Sequence, residues 1–375
     1  MKQTISNIYR LGIKELWSLF RDPAMLILII YSFTVAIYSA ATVMPDTLNK
    51  APIAIVDEDD SQLSARIISS FYPPQFILYV APTSKAVDQG MNEGRYTFSL
   101  TIPNGFQRDV LAGKSPTLQL NIDATRMSQA FSGSGHVQQI VLSEVAEFVK
   151  RHRANEPLPI DLTTRIRFNP SLNQAWFGSI MEIINQITML SIILSGAALI
   201  REREHGTIEH LLVMPLKPKE IMLAKVWSTG LIVLVVTAFS LTFVVQGLLR
   251  VPIEGSVTLF LVCVALHLFA TTSMGIFMAT VSRSMPQFGL LLIMTLLPLE
   301  MLSGGMTPRE SMPQLVQLLM LVAPTTHFTA ASQAILYRGA GLEVVWPGML
   351  SIFIIGVVFF LLAIARFRKT LSQMS

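Results

Sequence analysis

Six stretches of this chain are almost wholly apolar: Ala24 to Met44, Phe177 to Ile200, Ile221 to Leu249, Val257 to Val281, Phe288 to Leu302 and Trp346 to Ala365. A helix needs roughly 20 residues at 1.5 Å each to cross the hydrocarbon of a bilayer. Five stretches meet that length. Phe288 to Leu302 is cut short by Pro298, Glu300 and Gly304-Gly305, and a further apolar run, Leu315 to Ala323, follows it. This predicts a fifth span joined to a broken or re-entrant segment over residues 303–330, tolerated only where protein surrounds it. The pattern reads as an α-helical membrane protein with six transmembrane helices.

The pattern changes between the first two spans. PIAIV (Pro52 to Val56), FILYV (Phe76 to Val80), YTFSLTI (Tyr96 to Ile102), TLQLNID (Thr117 to Asp123) and TTRIRF (Thr163 to Phe168) are rich in β-branched and aromatic residues and read as strands. Helical patterns fall between them, near Ser61 to Ser70, Ser84 to Met91, Gly105 to Ala112 and Ser128 to Arg151, the last long enough to form a stalk. Strands alternating with helices predict a large mixed α/β domain. The division expected is an N-terminal helix and first span (1–44), an extracytoplasmic domain (45–175) and a domain of spans 2–6 (176–375).

Composition agrees with the membrane reading, since 51% of residues are hydrophobic and only 14% charged, against about 25% charged in soluble domains. Lys2, Arg10, Lys14 and Arg21 precede the first span. Arg201, Arg203, Lys217, Lys219 and Lys225 crowd the connection between the second and third, and Arg366, Arg368 and Lys369 follow the last. The positive-inside rule then places both termini and that connection in the cytoplasm. The net charge of +4 needs no nucleic-acid partner, because the excess lies at the membrane face. The first apolar run exceeds the 7–15 residues of a signal-peptide core and reads as an uncleaved anchor. The single cysteine, Cys263, lies in the fourth span, so the domain between spans must be held by its own core.

Enzyme motifs fail. Gly113-Lys114-Ser115 resembles the end of a phosphate-binding loop but has Arg108 where that loop needs glycine. The acidic run Asp57 to Asp60 starts like a calcium loop but has Gln62 and Ile68 in place of its glycine and glutamate; Asp60 or Ser61 is better read as a helix cap. His205 and His210 are five apart, which misses the spacing of a helical zinc pair. Inside the spans, Glu182, Asn185 and Gln186 fall at i, i+3, i+4 and share one face, predicting either a pathway or an interhelical hydrogen-bond set. Glu300 sits where the fifth span breaks, and His267 reads as a packing histidine.

The connection Arg201 to Val226 is densely charged. Charges at the membrane centre cost about 3 kcal/mol each, so it reads as an elbow on a watery face, helical where Ile208, Leu211 and Leu212 share a side and ended by Pro215 and Pro218. Here the residues resemble the membrane subunits of ABC type-2 (ABC-2) exporters. The family elbow Glu-x-Glu-x-Gly-Thr-x-Glu-x-Leu-Leu-x-x-Pro is met by Glu202, Glu204, Gly206, Thr207, Glu209, Leu211, Leu212 and Pro215, and continued by Glu220 and Lys225. Leu302 to Gly305, Pro308, Met312-Pro313 and Ala323-Pro324 resemble the family's broken fifth span, with Gly305 where many relatives have a bulkier residue. Ile102-Pro103, Phe106 and Ile122-Asp123 resemble landmarks of its external domain.

The resemblance implies a bacterial inner-membrane permease whose elbow, about residues 202–214, is a coupling helix. ATP and magnesium would bind to a separate ABC ATP-binding subunit and not to this chain. Further partners implied are a second or related permease copy, membrane lipid and, in tripartite members, a membrane-fusion protein and an outer-membrane channel. The alternative is a membrane-anchored periplasmic receptor or scaffold without transport.

Overall fold

The computed structural model describes residues 2–42, 50–123, 127–152, 174–204, 206, 216–305, 309 and 312–372. The chain divides into two compact units, residues 45–165, and residues 1–44 with 166–375.

In the smaller unit the strands are β1 (Ala51–Asp57), β2 (Phe76–Val80), β3 (Phe98–Ile102) and β4 (Gln119–Ile122). They order as β2-β1-β3-β4, parallel except for β4 against β3. The predicted strand at 163–168 lies outside the described residues. Side chains on β1 alternate between two layers, as the pleat requires. Ile53 and Ile55 pack with Leu63 and Ile67 of α3 (Gln62–Ser69) and with Val137, Val141 and Phe148 of α6 (Met127–His152). Ala54 and Val56 face the other way, against Val87 of α4 (Ser84–Asn92). The helix expected to stand as a stalk therefore lies on the sheet, because its apolar stripe needs a partner to leave water. Arg66 fastens it, reaching Glu144 at 2.8 Å and Glu147 at 3.4 Å.

Ser61 caps α3, accepting from the Ser64 amide. The acids before it serve the loop: Asp57 accepts from the Asp59 and Asp60 amides, and Asp59 from that of Gln107. A cavity of about 780 Å3 opens between β4, α5 (Phe106–Leu111) and α6, lined by Phe106, Leu118, Leu120, Val141, Leu142 and Val145.

The larger unit begins with α1 (Lys2–Phe20). The long apolar helices are α2 (Pro23–Thr42), α7 (Gln174–Glu204), α8 (Pro218–Leu248), α9 (Val257–Val281) and α13 (Leu342–Ser372). α7 and α9 are central, with 78% and 67% of their apolar windows buried, against 28%, 33% and 22% for α2, α8 and α13. α2 and α8 each carry a wider-wound π segment, Ser32–Ala36 and Ser240–Leu248, and the Ser240 hydroxyl donates to the Phe33 carbonyl at 2.6 Å.

The fifth apolar stretch is α10 (Met285–Met301), 17 residues long. It runs through Pro298 rather than stopping there. A proline removes only its own donor, and the Leu302 amide still closes on the Pro298 carbonyl at 3.0 Å. The break falls at Gly304, whose φ of 94° suits glycine. At Gly305 a side chain would strike Met181 of α7, which occupies that space. α11 (Gln314–Met320) and α12 (Pro324–Arg338) follow, bent by 88°. This pair runs to Arg338, past the expected end near 330, and Gly339 closes it in the left-handed conformation.

α7 and α9 meet through small residues, the usual means of close approach where lipid removes the hydrophobic drive. A Cβ on Gly275 would lie 2.6 Å from the Ile192 carbonyl, and Ser191 donates to Thr271 at 2.6 Å. Gly275→Val should therefore force the two central helices apart and cost about 1–3 kcal/mol, read as a lower Tm of the purified full chain in lipid nanodiscs. An unchanged Tm would mean that this crossing is not close-packed.

Candidate functional site

Of the elbow residues singled out by sequence, the structure describes Glu202, Glu204 and Gly206. Thr207, Glu209, Leu211, Leu212 and Pro215, with His205 and His210, lie outside the described residues. What is described is the last turn of α7, Arg201 to Glu204, and its surroundings.

Successive residues on a helix point about 100° apart, and these four charged side chains reach different elements. Arg201 pairs with Asp22, the residue that caps α2 by accepting from the Ala24 and Met25 amides at 3.1 and 3.2 Å. Glu202 meets Lys225 of α8 at 2.8 Å and Lys14 of α1 at 3.6 Å. Arg203 donates to the Ser282 and Ala279 carbonyls at 2.6 and 3.4 Å, at the C-terminal end of α9. Glu204 accepts from the Met285 amide at 3.0 Å, at the N-terminal end of α10. A cation thus sits on the negative end of one helix dipole and an anion on the positive end of another. Gly206 follows with φ of 69°, a left-handed turn that ends α7 as glycine commonly does.

Lys225 is the centre of this arrangement. Sequence placed it on a watery elbow. The structure puts it in the second turn of α8, its side chain 2% exposed, between Glu202 and Glu15 of α1, the latter at 3.0 Å. Pro218 likewise opens α8 instead of ending the elbow, since the first helical position needs no amide donor. Glu220 accepts from the Lys217 amide at 3.2 Å and from Asn7 of α1 at 3.3 Å. Trp227 donates to the Ile8 carbonyl at 3.1 Å and stacks on Tyr9, and Gly12 leaves room for its indole. A cavity of about 310 Å3 opens beside the triad, bounded by Lys14, Glu15, Ser18, Arg201, Glu202 and Thr229.

Two carboxyls outside the spans feel this setting. Burial lifts Glu15 above the usual carboxylate range; Lys225 opposes that lift and Glu202 adds to it. Burial would raise Asp22 as well, but the Met25 amide and the Arg201 guanidinium outweigh it and hold Asp22 below its ordinary value. Sequence reasoning missed Glu15 and Asp22 because nothing local ties them to residues some 180–210 positions later. A lysine inside an apolar run was the available signal, since such a charge calls for a partner.

The other sequence candidates lie along α7 and α10. Gln186 is buried and donates to Glu182 at 2.6 Å, with Asn185 half-buried beside them. Glu300 of α10 lies within electrostatic reach of Glu182, so the structure brings together two carboxylates that sequence treated separately. Among the described residues no three His, Cys, Asp or Glu side chains form a metal-holding group.

Residues 23–365 match the family model described as ABC-2 family transporter protein. The chain is 62% identical to the inner membrane transport permease YhhJ of Escherichia coli (strain K12), over 99% of each chain. It is 27% identical to the probable multidrug ABC transporter permease YbhR of the same organism, over 95% of this chain and 96% of that one. It is 23% identical to the probable multidrug ABC transporter permease YbhS, over 89% of each.

Lys225→Met should leave Glu15 and Glu202 buried without their cation and cost about 3–5 kcal/mol, seen as a large fall in Tm; a fall of less than a degree would place the triad in water. Asp22 gives a pH dependence. Its folded pKa lies below the ordinary 3.8, so its contribution is complete above that value and disappears as pH falls through the folded one. Asp22→Asn should flatten the acid limb of stability against pH.

Proposed function

The chain belongs to the ABC-2 family of transporter proteins as a multi-pass inner-membrane transport permease, and we propose that it is the membrane subunit of an ATP-driven exporter. In this reading ATP and magnesium bind to a separate ATP-binding subunit. Force enters through the 201–226 elbow, both termini and the elbow are cytoplasmic, and the 45–165 unit faces the periplasm. The observation that carries the reading is the fan of contacts at Arg201 to Glu204. A push on the elbow cannot move α7 alone, because the same turn holds α1, α2, α8, α9 and α10.

The proposal divides the elbow residues by task. Glu202 and Glu204 have partners within this chain and form the root of the lever. Gly206 provides the bend. Thr207, Glu209, Leu211, Leu212 and Pro215 form the arm that meets the ATP-binding subunit, Glu209 offering a carboxylate to its basic residues. Two permease copies, or this chain and a related one, enclose the pathway, to which Glu182, Asn185, Gln186 and Glu300 contribute. The printed names of YbhR and YbhS suggest drug-like cargo, and an amphiphile fits the apolar cavity of the smaller unit. A membrane-fusion protein and an outer-membrane channel would complete an envelope-spanning route. That cavity also favours the second reading, a receptor that binds without transporting.

ATP hydrolysis by candidate ATP-binding subunits in proteoliposomes decides between them. Wild-type chain should stimulate hydrolysis, Glu209→Lys should abolish the stimulation while leaving Tm unchanged, and Gly206→Pro, which cannot adopt the φ of 69° found there, should abolish it too. If no ATPase associates and hydrolysis never responds, the receptor reading takes its place.

A further inference from the structure

Hydroxyl side chains buried in the membrane unit are satisfied differently on different helices. On α7 and α9 they close on their own helices, as a buried helical serine or threonine usually does: Thr188 donates to the Ile184 carbonyl, Ser195 to Ser191, Thr271 to His267 and Ser273 to Phe269. On α12 four buried hydroxyls, those of Thr325, Thr326, Thr329 and Ser332, have no partner among the described residues. Thr325, Thr329 and Ser332 share a stripe with Phe328 at i, i+3, i+4, i+7, and the Phe328 ring stacks on His267 of α9 with centroids 3.9 Å apart. The stripe faces that histidine.

His267 is fully buried, with its Nε2 2.9 Å from the Thr188 hydroxyl. The Thr188 proton is given to the Ile184 carbonyl, so the hydrogen-bond network assigns the ring proton to Nε2, which donates to Thr188. Nδ1 is then a bare acceptor, and it has no partner. The level agrees on the third helix. Tyr337 donates to the Phe177 carbonyl and Gln333 to the Met181 sulfur, so α12 descends as α7 ascends. One further turn brings Thr329 level with Asn185, and the next brings Thr326 level with Thr188. The Oε1 of Gln186, also without a partner, lies between those levels.

We propose that α7, α9 and α12 enclose a hydrated polar chamber, a binding site for water held by His267 Nδ1 and the α12 hydroxyls. An unpaired buried polar group is costly in a membrane interior, and the unpaired hydroxyls of the stripe, His267 Nδ1 and Gln186 Oε1, spread over about two helical turns, are what internal water satisfies. At ~3 hydrogen bonds per buried water they suit about two molecules. The chamber also explains how the Glu182–Gln186 pair persists inside a span, since intramembrane carboxylates face protein or water rather than lipid. At this level α12 would then be joined to α7 and α9 through water, while Tyr337 and Gln333 join it to α7 directly. This requires membrane residence only and holds whether or not the chain exports.

Water-edited solid-state NMR of the full chain in lipid bilayers, with labelled histidine and threonine, tests the proposal. Magnetisation should pass from water to the His267 ring, assigned by its loss in His267→Phe, about as quickly as to exposed His136. The transfer should be lost in the isosteric double variant Thr329→Val, Ser332→Ala, with the other histidine signals unchanged. No transfer to His267 in the wild type means a dry seam and overturns the proposal. Transfer that survives the double variant overturns the assignment of these hydroxyls as the water's holders.

Discussion

One turn of helix, Arg201 to Glu204, fixes how the membrane unit is put together at the elbow. Four charged residues in a row would normally mark a solvated helix end. Here the 100° step between residues spreads them round the axis, and each meets a different kind of partner: a capping aspartate, a buried lysine, the carbonyls ending one helix and the amide starting another. The directions of α1, α2, α8, α9 and α10 are referred to that turn. Gly206 then turns the chain out of the helix, so the region beyond begins from a fixed point on a stiff base.

Polar groups elsewhere in the bundle are stabilised differently. Lys225, buried between two carboxylates with the exposed Lys14 at the edge, centres a locally neutral cluster in which breaking the pair costs more than forming it gains. The α7 and α9 hydroxyls bond their own backbones, Ser191 also reaching Thr271 across the crossing, and so allow close packing. α12 follows neither pattern. Its position after an 88° bend gives it the irregular surroundings in which an α-helix leaves polar side chains over.

Much of the fold was legible because the governing signals are local. Length and hydropathy identify α2, α7, α8, α9 and α13, and β-branched runs identify the four described strands to within a few residues. Misplaced features depend on distant partners. Pro298 looks like a terminator until its own carbonyl is seen to accept from the Leu302 amide, and α6 looks like a stalk until Val137 and Phe148 are found against the sheet. Lys225 could be recognised as anomalous from sequence, yet Glu15 could not be chosen as its partner among the acids of the chain. The partners that Glu202 and Glu204 find within the chain required coordinates.

The separation of Glu15 from Lys225 by 210 positions bears on how the protein is made. α1 is synthesised before α8 and carries a carboxylate whose counter-charge has yet to be made. It cannot settle until the smaller unit and then the second and third spans have been produced. The seam between α1 and α8 therefore closes only after the third span has been made. A chain truncated before Lys225 would present an unsealed first helix, the kind of surface by which quality-control proteases recognise an unfinished membrane protein.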